Sequence, residues 1–267
     1  MRTLPHISKS RLSSYQRLTR KKFRSTDGKF IVEGLKSVSD GLIASAPIEA
    51  IMVTPKFQSK DEFISSILPL AKKSGLEVLE VSEDELGKIS DTVTAQGVAG
   101  VVRIERVTLN SVIARLPTRF LFVALDGVAD PGNLGTIIRT CDWFGVDGIF
   151  LSPSTVELHN PKVVRASMGS FFHLPIITDV DLIEHLRLLR SHGATILSTC
   201  IDGGESPGAI SIPSQSVILF GNEAHGLSES LDSMADRKLT IPKFGKAESL
   251  NVSIACAIIL HSLKVGN

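Results

Sequence analysis

The chain has 267 residues, 43% of them apolar and 21% charged, with a formal net charge of +1. That supports a sizeable core in one large domain or two ordinary ones and excludes wholesale disorder. The longest strictly apolar run, Ile254 to Leu260, is too short to span a bilayer, and the basic N-terminus lacks the apolar stretch of a secretory signal.

The charge is unevenly placed. Residues 1–30 carry nine Lys/Arg against one acid, Asp27, a balance of +8; the other 237 carry 20 basic and 27 acidic side chains, a balance of −7. A basic arm on a mildly acidic body points to nucleic acid or an anionic surface, the plain alternative being a solvated helix face. Ser8 to Arg24 reads as one amphipathic helix. Leu12, Tyr15, Leu18 and Phe23 fall on one side of it, and Arg17, Arg20, Lys21 and Arg24 form a basic stripe. Asp27-Gly28 ends it in a turn. Apolar runs at Phe30–Glu33, Ala50–Thr54, Glu77–Val81 and Gly97–Val102 read as strands, and Leu35–Ser45, Lys60–Lys73 and Glu83–Ile89 as helices. Residues 1–106 thus form a small α/β domain of ordinary size.

Val107 to Arg119 reads as a linker, leaving 120–267 as a second domain. Phe120–Leu125 is a continuous apolar strand of the kind buried on both faces. Further strands are expected at Gly148–Leu151, Leu174–Ile177, Thr195–Thr199, Ser216–Phe220 and Lys238–Ile241. Helices are expected at Leu134–Phe144, Pro161–Met168, Asp181–His192 and Val252–Lys264. This alternation predicts a mostly parallel sheet with helices on both faces, and a site at the carboxyl ends of its strands. Cys141, Cys200 and Cys256 are far apart, odd in number and without metal-ligand spacing. They predict no metal site and fit buried thiols in a reducing cytoplasm.

Three strand-to-loop junctions carry chemistry. The first, Leu125 to Asn133, leads into a helix bearing Arg139. Asn133 is suited to cap that helix, and an Arg flanked by Ile137 and Ile138 must be paired or face a cavity. The second, Leu219 to Leu227, sets Glu223 and His225 between glycines that let backbone amides approach a ligand, or that merely make a tight turn; His225 reads as a loop residue. The third, Leu239 to Asn251, brings Ser249 and Asn251 to a helix entrance, where they either cap the helix or help hold an anion. No GxGxxG follows Phe120–Leu125, and GxxxxGK[ST] and HExxH are absent. That argues against a dehydrogenase, a P-loop enzyme and a zinc protease.

Taken together, Asn133-Leu134-Gly135-Thr136-Ile137-Ile138-Arg139-Thr140, Gly221-Asn222-Glu223-Ala224-His225-Gly226-Leu227, and Ile241-Pro242 followed by Ser249-Leu250-Asn251-Val252-Ser253-Ile254-Ala255 resemble the three motifs of the SpoU (TrmH-like) RNA ribose 2′-O-methyltransferases, over residues 120–264. Asn160 to Gly169 is similar to the family's intermediate helix. Phe30-Ile31-Val32-Glu33-Gly34 and Thr94 to Val101 resemble its small substrate-binding domain. The resemblance implies an S-adenosylmethionine donor and a ribose 2′-hydroxyl acceptor. It also implies a deep C-terminal trefoil knot, which general topology rules would not suggest, and a homodimer with the active site near the subunit interface.

By the same resemblance, Arg139, Asn133, Glu223, Ser249 and Asn251 are the catalytic candidates, and Gly221, Ile241, Leu250 and Thr199 contact the cofactor, mainly through backbone. Arg17, Arg20, Lys21, Arg24 and Arg165 are expected to meet RNA, ribosomal rather than transfer RNA. A guanidinium holds its proton tightly and is a poor base, so Arg139 is expected to orient the acceptor and stabilise the developing alkoxide. The rival readings are a transfer-RNA methyltransferase, a non-catalytic RNA-binding protein on the same fold, and a nucleotide-dependent oxidoreductase, which the missing glycine fingerprint disfavours.

Overall fold

A strand buried on both faces must be apolar at consecutive positions, and the two sheets of this protein are built that way. The computed structural model describes residues 4–90 and 96–265. Arg2 of the basic arm and Thr94-Ala95 of the resemblance to the small domain lie outside them. The chain divides into two compact units, one of residues 1–105 with 159–173, the other of 106–158 with 174–267. No described helix is long and apolar enough to cross a membrane.

The first unit contains α1 (Lys9–Gln16), α2 (Lys21–Asp27), β1 (Lys29–Glu33), α3 (Leu35–Ile43), β2 (Ile48–Val53), α4 (Pro55–Gln58), α5 (Leu68–Lys73), β3 (Glu77–Glu80), α6 (Glu83–Ile89) and β4 (Val98–Arg103). The sheet order is β1-β4-β2-β3, with β4 antiparallel to both neighbours and β2 parallel to β3. The period of two sends Phe30, Val32, Ile51, Val53, Val98 and Val102 to one face, where they pack with Val38, Phe57 and Ile67. It sends Ile31, Ala50, Met52, Ala99 and Val101 to the other, where Leu12, Tyr15, Leu18, Leu86 and Ile89 cover them.

The basic N-terminus is therefore a layer of the fold and not a free arm, and it departs from the sequence expectation in two ways. A short 3-10 turn, Arg17–Thr19, separates α1 from α2, so the helix is not continuous. Arg24 is not on a surface stripe: it is only 3% exposed, and its guanidinium donates to the Leu18 and Thr19 carbonyls at 2.9 Å each. The break turns α2, so the spacing of one helix no longer aligns these residues. Arg17 is exposed, 3.4 Å from Asp27 and stacked over Phe23. Arg20, Lys21 and Lys22 are exposed, and their side chains make no ion pair or hydrogen bond among the described residues. The expected helix at 60–73 also differs: a π turn at Phe63–Ile67 precedes α5.

The second unit begins with α7 (Leu109–Ile113), inside the segment expected to be a linker; Leu109 is buried there against Phe120 and Phe122. Then follow β5 (Phe120–Leu125), α8 (Pro131–Trp143) and β6 (Gly148–Leu151). The next helix, α9 (Pro161–Ala166), belongs to the first unit. Its Val164 joins that core, and His159 packs on Phe30 with ring centroids 4.7 Å apart. The second unit resumes with β7 (Ile176–Ile177), α10 (Leu182–Ser191), β8 (Thr195–Thr199), β9 (Gln215–Phe220), α11 (Glu229–Asp232), β10 (Arg237–Leu239) and α12 (Val252–Val265). Its sheet, β10-β8-β9-β5-β6-β7, is parallel throughout. Parallel pairing puts all carboxyl ends on one edge, so the loops after β5, β8, β9 and β10 meet there.

Candidate active site

A cleft of about 910 Å³ opens among these loops. It is lined by Thr199 to Ile201 at the end of β8, by Phe220 to Leu227 at the end of β9, and after β10 by Ile241 to Gly245 and Ala247 to Leu250. Val252, Ala255 and Ile259 of α12 add an apolar wall. Thr199, Gly221, Ile241 and Leu250, the four expected cofactor contacts, all line it, as do Glu223 and Ser249. The Thr199 hydroxyl donates to the Leu219 carbonyl at 2.8 Å, so it fastens β8 to β9 and offers the cleft its remaining surface. Gly221 serves chain packing as well as ligand approach, since a Cβ there would collide with the backbone of Gly226 and Leu227.

One hydrogen-bond chain joins the three motifs. The Asn133 amide donates to Glu223 at 2.9 Å, and the Asn251 amide donates to Asn133 Oδ1 at 2.9 Å. Glu223 also accepts from the backbone N–H groups of Ala129 at 3.2 Å and Asp130 at 3.3 Å. Partial burial pushes the Glu223 carboxyl upward, but the bonds from Asn133 and the backbone outweigh it and hold its pKa below the ordinary glutamate value. Asn133 is free to do this because it is not the helix cap. Asp130 caps α8, accepting the Asn133 N–H at 2.8 Å. Asn251 does cap α12, its Oδ1 accepting from Ser253 N–H at 2.9 Å and Ser253 hydroxyl at 2.6 Å while its amide reaches Asn133. Ser249 is exposed at the rim.

Arg139 stands apart from this chain. It is exposed on α8 and makes no ion pair or hydrogen bond among the described residues, so the expected pairing or cavity is not found among them. Helical spacing explains this: Thr136, Arg139 and Trp143 share the outward face, while Leu134, Ile137, Ile138 and Cys141 point inward. Arg165 is half-buried on α9 and already engaged with neighbours. His225 is exposed in the β9 loop, as a loop residue should be.

Asn222 was given no role by sequence reasoning. Its amide donates to the Gly127 carbonyl at 2.7 Å, and its Oδ1 accepts from Ala224 and His225 N–H at 2.8 and 3.2 Å. One side chain thus closes the β9 loop and ties it to the β5 loop. An Asn just past a strand end, bracketed by Gly221 and Gly226, is the signal that such an Asx turn leaves in a sequence.

The arrangement is a cleft formed by strand-end loops, with a carboxylate held by amides beside it. Residues 120–261 match the SpoU rRNA Methylase family.

The chain belongs to that family.

Residues 9–100 match the MRM3-like substrate binding domain. Among SpoU relatives, the chain is 29% identical to the 23S rRNA (guanosine(2553)-2′-O)-methyltransferase RlmP of Bacillus subtilis, over 99% of this chain and all of that one. It is 30% identical to the 23S rRNA (guanosine-2′-O-)-methyltransferase RlmB of Neisseria meningitidis, over 74% of this chain and 80% of that one. The crystal structure of an AdoMet-bound rRNA methyltransferase from Sinorhizobium meliloti superposes with a TM-score of 0.85 at 31% identity, covering 98% of this chain and 97% of that one. SpoU membership explains why the cleft has an apolar wall beside polar residues: the family's S-adenosylmethionine carries an adenine as well as charged groups. The cleft's volume is within the range of small-molecule sites.

Proposed function

We propose that the cleft methylates a ribose 2′-hydroxyl of ribosomal RNA, with S-adenosylmethionine as the donor. The observation that carries this reading is the Glu223–Asn133–Asn251 chain, which unites all three motifs beside a cleft of suitable size. Bound S-adenosylmethionine supplies an electrophilic methyl. Gly221, Ile241 and Leu250 hold it mainly by backbone, with Thr199 at its edge. The difficulty lies in the acceptor, a weak nucleophile that must be aligned and relieved of its proton. Ser249 and Asn251 hold the ribose. Glu223 and Asn133 keep the loops in register, and Arg139 binds the acceptor's ribose or phosphate and stabilises the alkoxide. The test is where the methyl lands: a 2′-oxygen of ribosomal RNA is expected, and a base methyl or an unmodified RNA overturns the reading.

Arg139 reaches an acceptor only if another surface faces it, and a second copy supplies one. On α12, Ile254, Ile258 and Val265 form an exposed stripe, and Trp143 on α8, which packs against α12, is 84% exposed. Apolar stripes of this kind mark association surfaces. The protein works as a homodimer through these helices, with each site near the interface. Sedimentation at micromolar concentration should read twice the 28.7 kDa chain mass; a single 28.7 kDa species contradicts the assignment. SpoU membership is what supports the family's trefoil knot in this unit. Three free cysteines fit a cytoplasmic setting.

The first unit binds RNA. Arg17, Arg20, Lys21 and Lys22 are exposed cations at the N-terminal corner, as is Lys9, whereas Arg24 is structural. Replacing Arg20, Lys21 and Lys22 by Gln should weaken RNA binding and flatten its salt dependence by roughly 0.7–0.9 per lost phosphate contact in log–log slope. An unchanged slope would leave a solvated face instead.

A further inference from the structure

The loop from Pro242 to Leu250 is exposed along its whole length and forms one lip of the cleft. At its centre Phe244 is 98% exposed, more than any other large apolar side chain among the described residues. Lys243 and Lys246 flank it, exposed and without ion pair or hydrogen bond among the described residues. Glu248 is the loop's single acid, and Ser249 lies on the same lip.

A bare aromatic ring between free cations suits one kind of occupant. Protein interfaces are depleted in lysine at their cores, so a second protein surface is a poor match. Single-stranded nucleic acid is a good one: a base offers a π face to the ring, and its phosphates offer charge to the ammonium groups. The position matters as much as the chemistry, because an unpaired nucleotide held here would present its sugar to Ser249 and the cleft.

We propose that Phe244 stacks on an unpaired base at or next to the target nucleotide, while Lys243 and Lys246 hold the adjoining phosphates. This rests on the rRNA-methylation reading. It assigns the loop a substrate-selecting role, favouring target nucleotides whose base is free to be stacked.

The experiment uses the full chain, an unmodified 23S rRNA transcript as probe, and S-adenosylhomocysteine for calorimetry. Phe244→Ala should raise KM for RNA by on the order of ten-fold, with little change in kcat, cofactor Kd or sedimentation. Phe244→Trp, which keeps a stacking face, should stay close to the parent. Lys243→Gln with Lys246→Gln should flatten the salt dependence of RNA binding. The inference is overturned if Phe244→Ala weakens the cofactor alone, for then the ring covers the donor. It is equally overturned if that variant loses the dimer alone, or matches the parent throughout. Failure of the parent chain itself to methylate the transcript would count against the function; a normal parent with an unaffected Phe244→Ala would count only against the stacking.

Discussion

Arg139→Ala is expected to lower kcat for methyl transfer by about 10²–10³-fold, the usual loss when one preorganised donor to a developing oxyanion is removed. The structure makes this separable from stability. Arg139 is exposed and makes no ion pair or hydrogen bond among the described residues, so deleting it should shift stability by no more than about 0.5 kcal/mol. In a chain of this size that is about 2 °C or less in Tm. Cofactor affinity should also hold, because Arg139 does not line the cleft. Arg139→Lys should fall between the two, since it keeps the charge but loses the planar fork that aligns two hydrogen bonds. Near-normal turnover of the Ala variant at saturating RNA and cofactor removes Arg139 from the chemistry.

The second large effect is Glu223→Gln. The carboxylate accepts from Ala129, Asp130 and Asn133, three donors from the β5 loop and the start of α8. Gln offers one acceptor oxygen and turns an NH₂ towards groups that also donate, so at least one N–H loses its partner. Displacing Asn133 by even an ångström should cost about 100-fold in kcat, the scale that misalignment carries in positioned reactions. Unlike Arg139→Ala, this variant should also lose thermal stability. The pH behaviour follows from the same bonds. The folded-state pKa lies below the ordinary value, so the stabilisation is present above the unfolded pKa and is lost as pH falls through the lower, folded one. Activity loss in acid that coincides with ordinary glutamate titration, at unchanged fold, would contradict a hydrogen-bonded Glu223.

Much of this was legible from sequence, for identifiable reasons. β5 and β6 have the boundaries read from their apolar runs, because strands buried along their whole length leave no polar residue to blur the ends. The cleft residues were legible through strand order, since parallel strands place their loops on one edge. Other features depend on contacts that no local pattern encodes. Arg24 is buried because a 3-10 turn redirects α2 and offers two free carbonyls. Residues 159–173 join the first unit through His159 and Val164, a packing choice invisible to periodicity. Asn133 looked like a cap because Asn often caps, yet Asp130 stands three residues earlier and takes that task. Arg139, flanked by isoleucines, is expected to be paired or to face a cavity, but Ile137 and Ile138 turn into the core while it faces outward.

The central claim concerns one atom, a ribose 2′-oxygen of ribosomal RNA. Methylation there blocks alkaline cleavage of the adjoining linkage, so the decisive measurement is a map of alkali-resistant linkages in ribosomal RNA from cells with and without this chain. One linkage should lose its protection without the chain and regain it with the parent sequence but not with Arg139→Ala. An identical map in both cells, or a lost methyl that proves to sit on a base, would contradict the account.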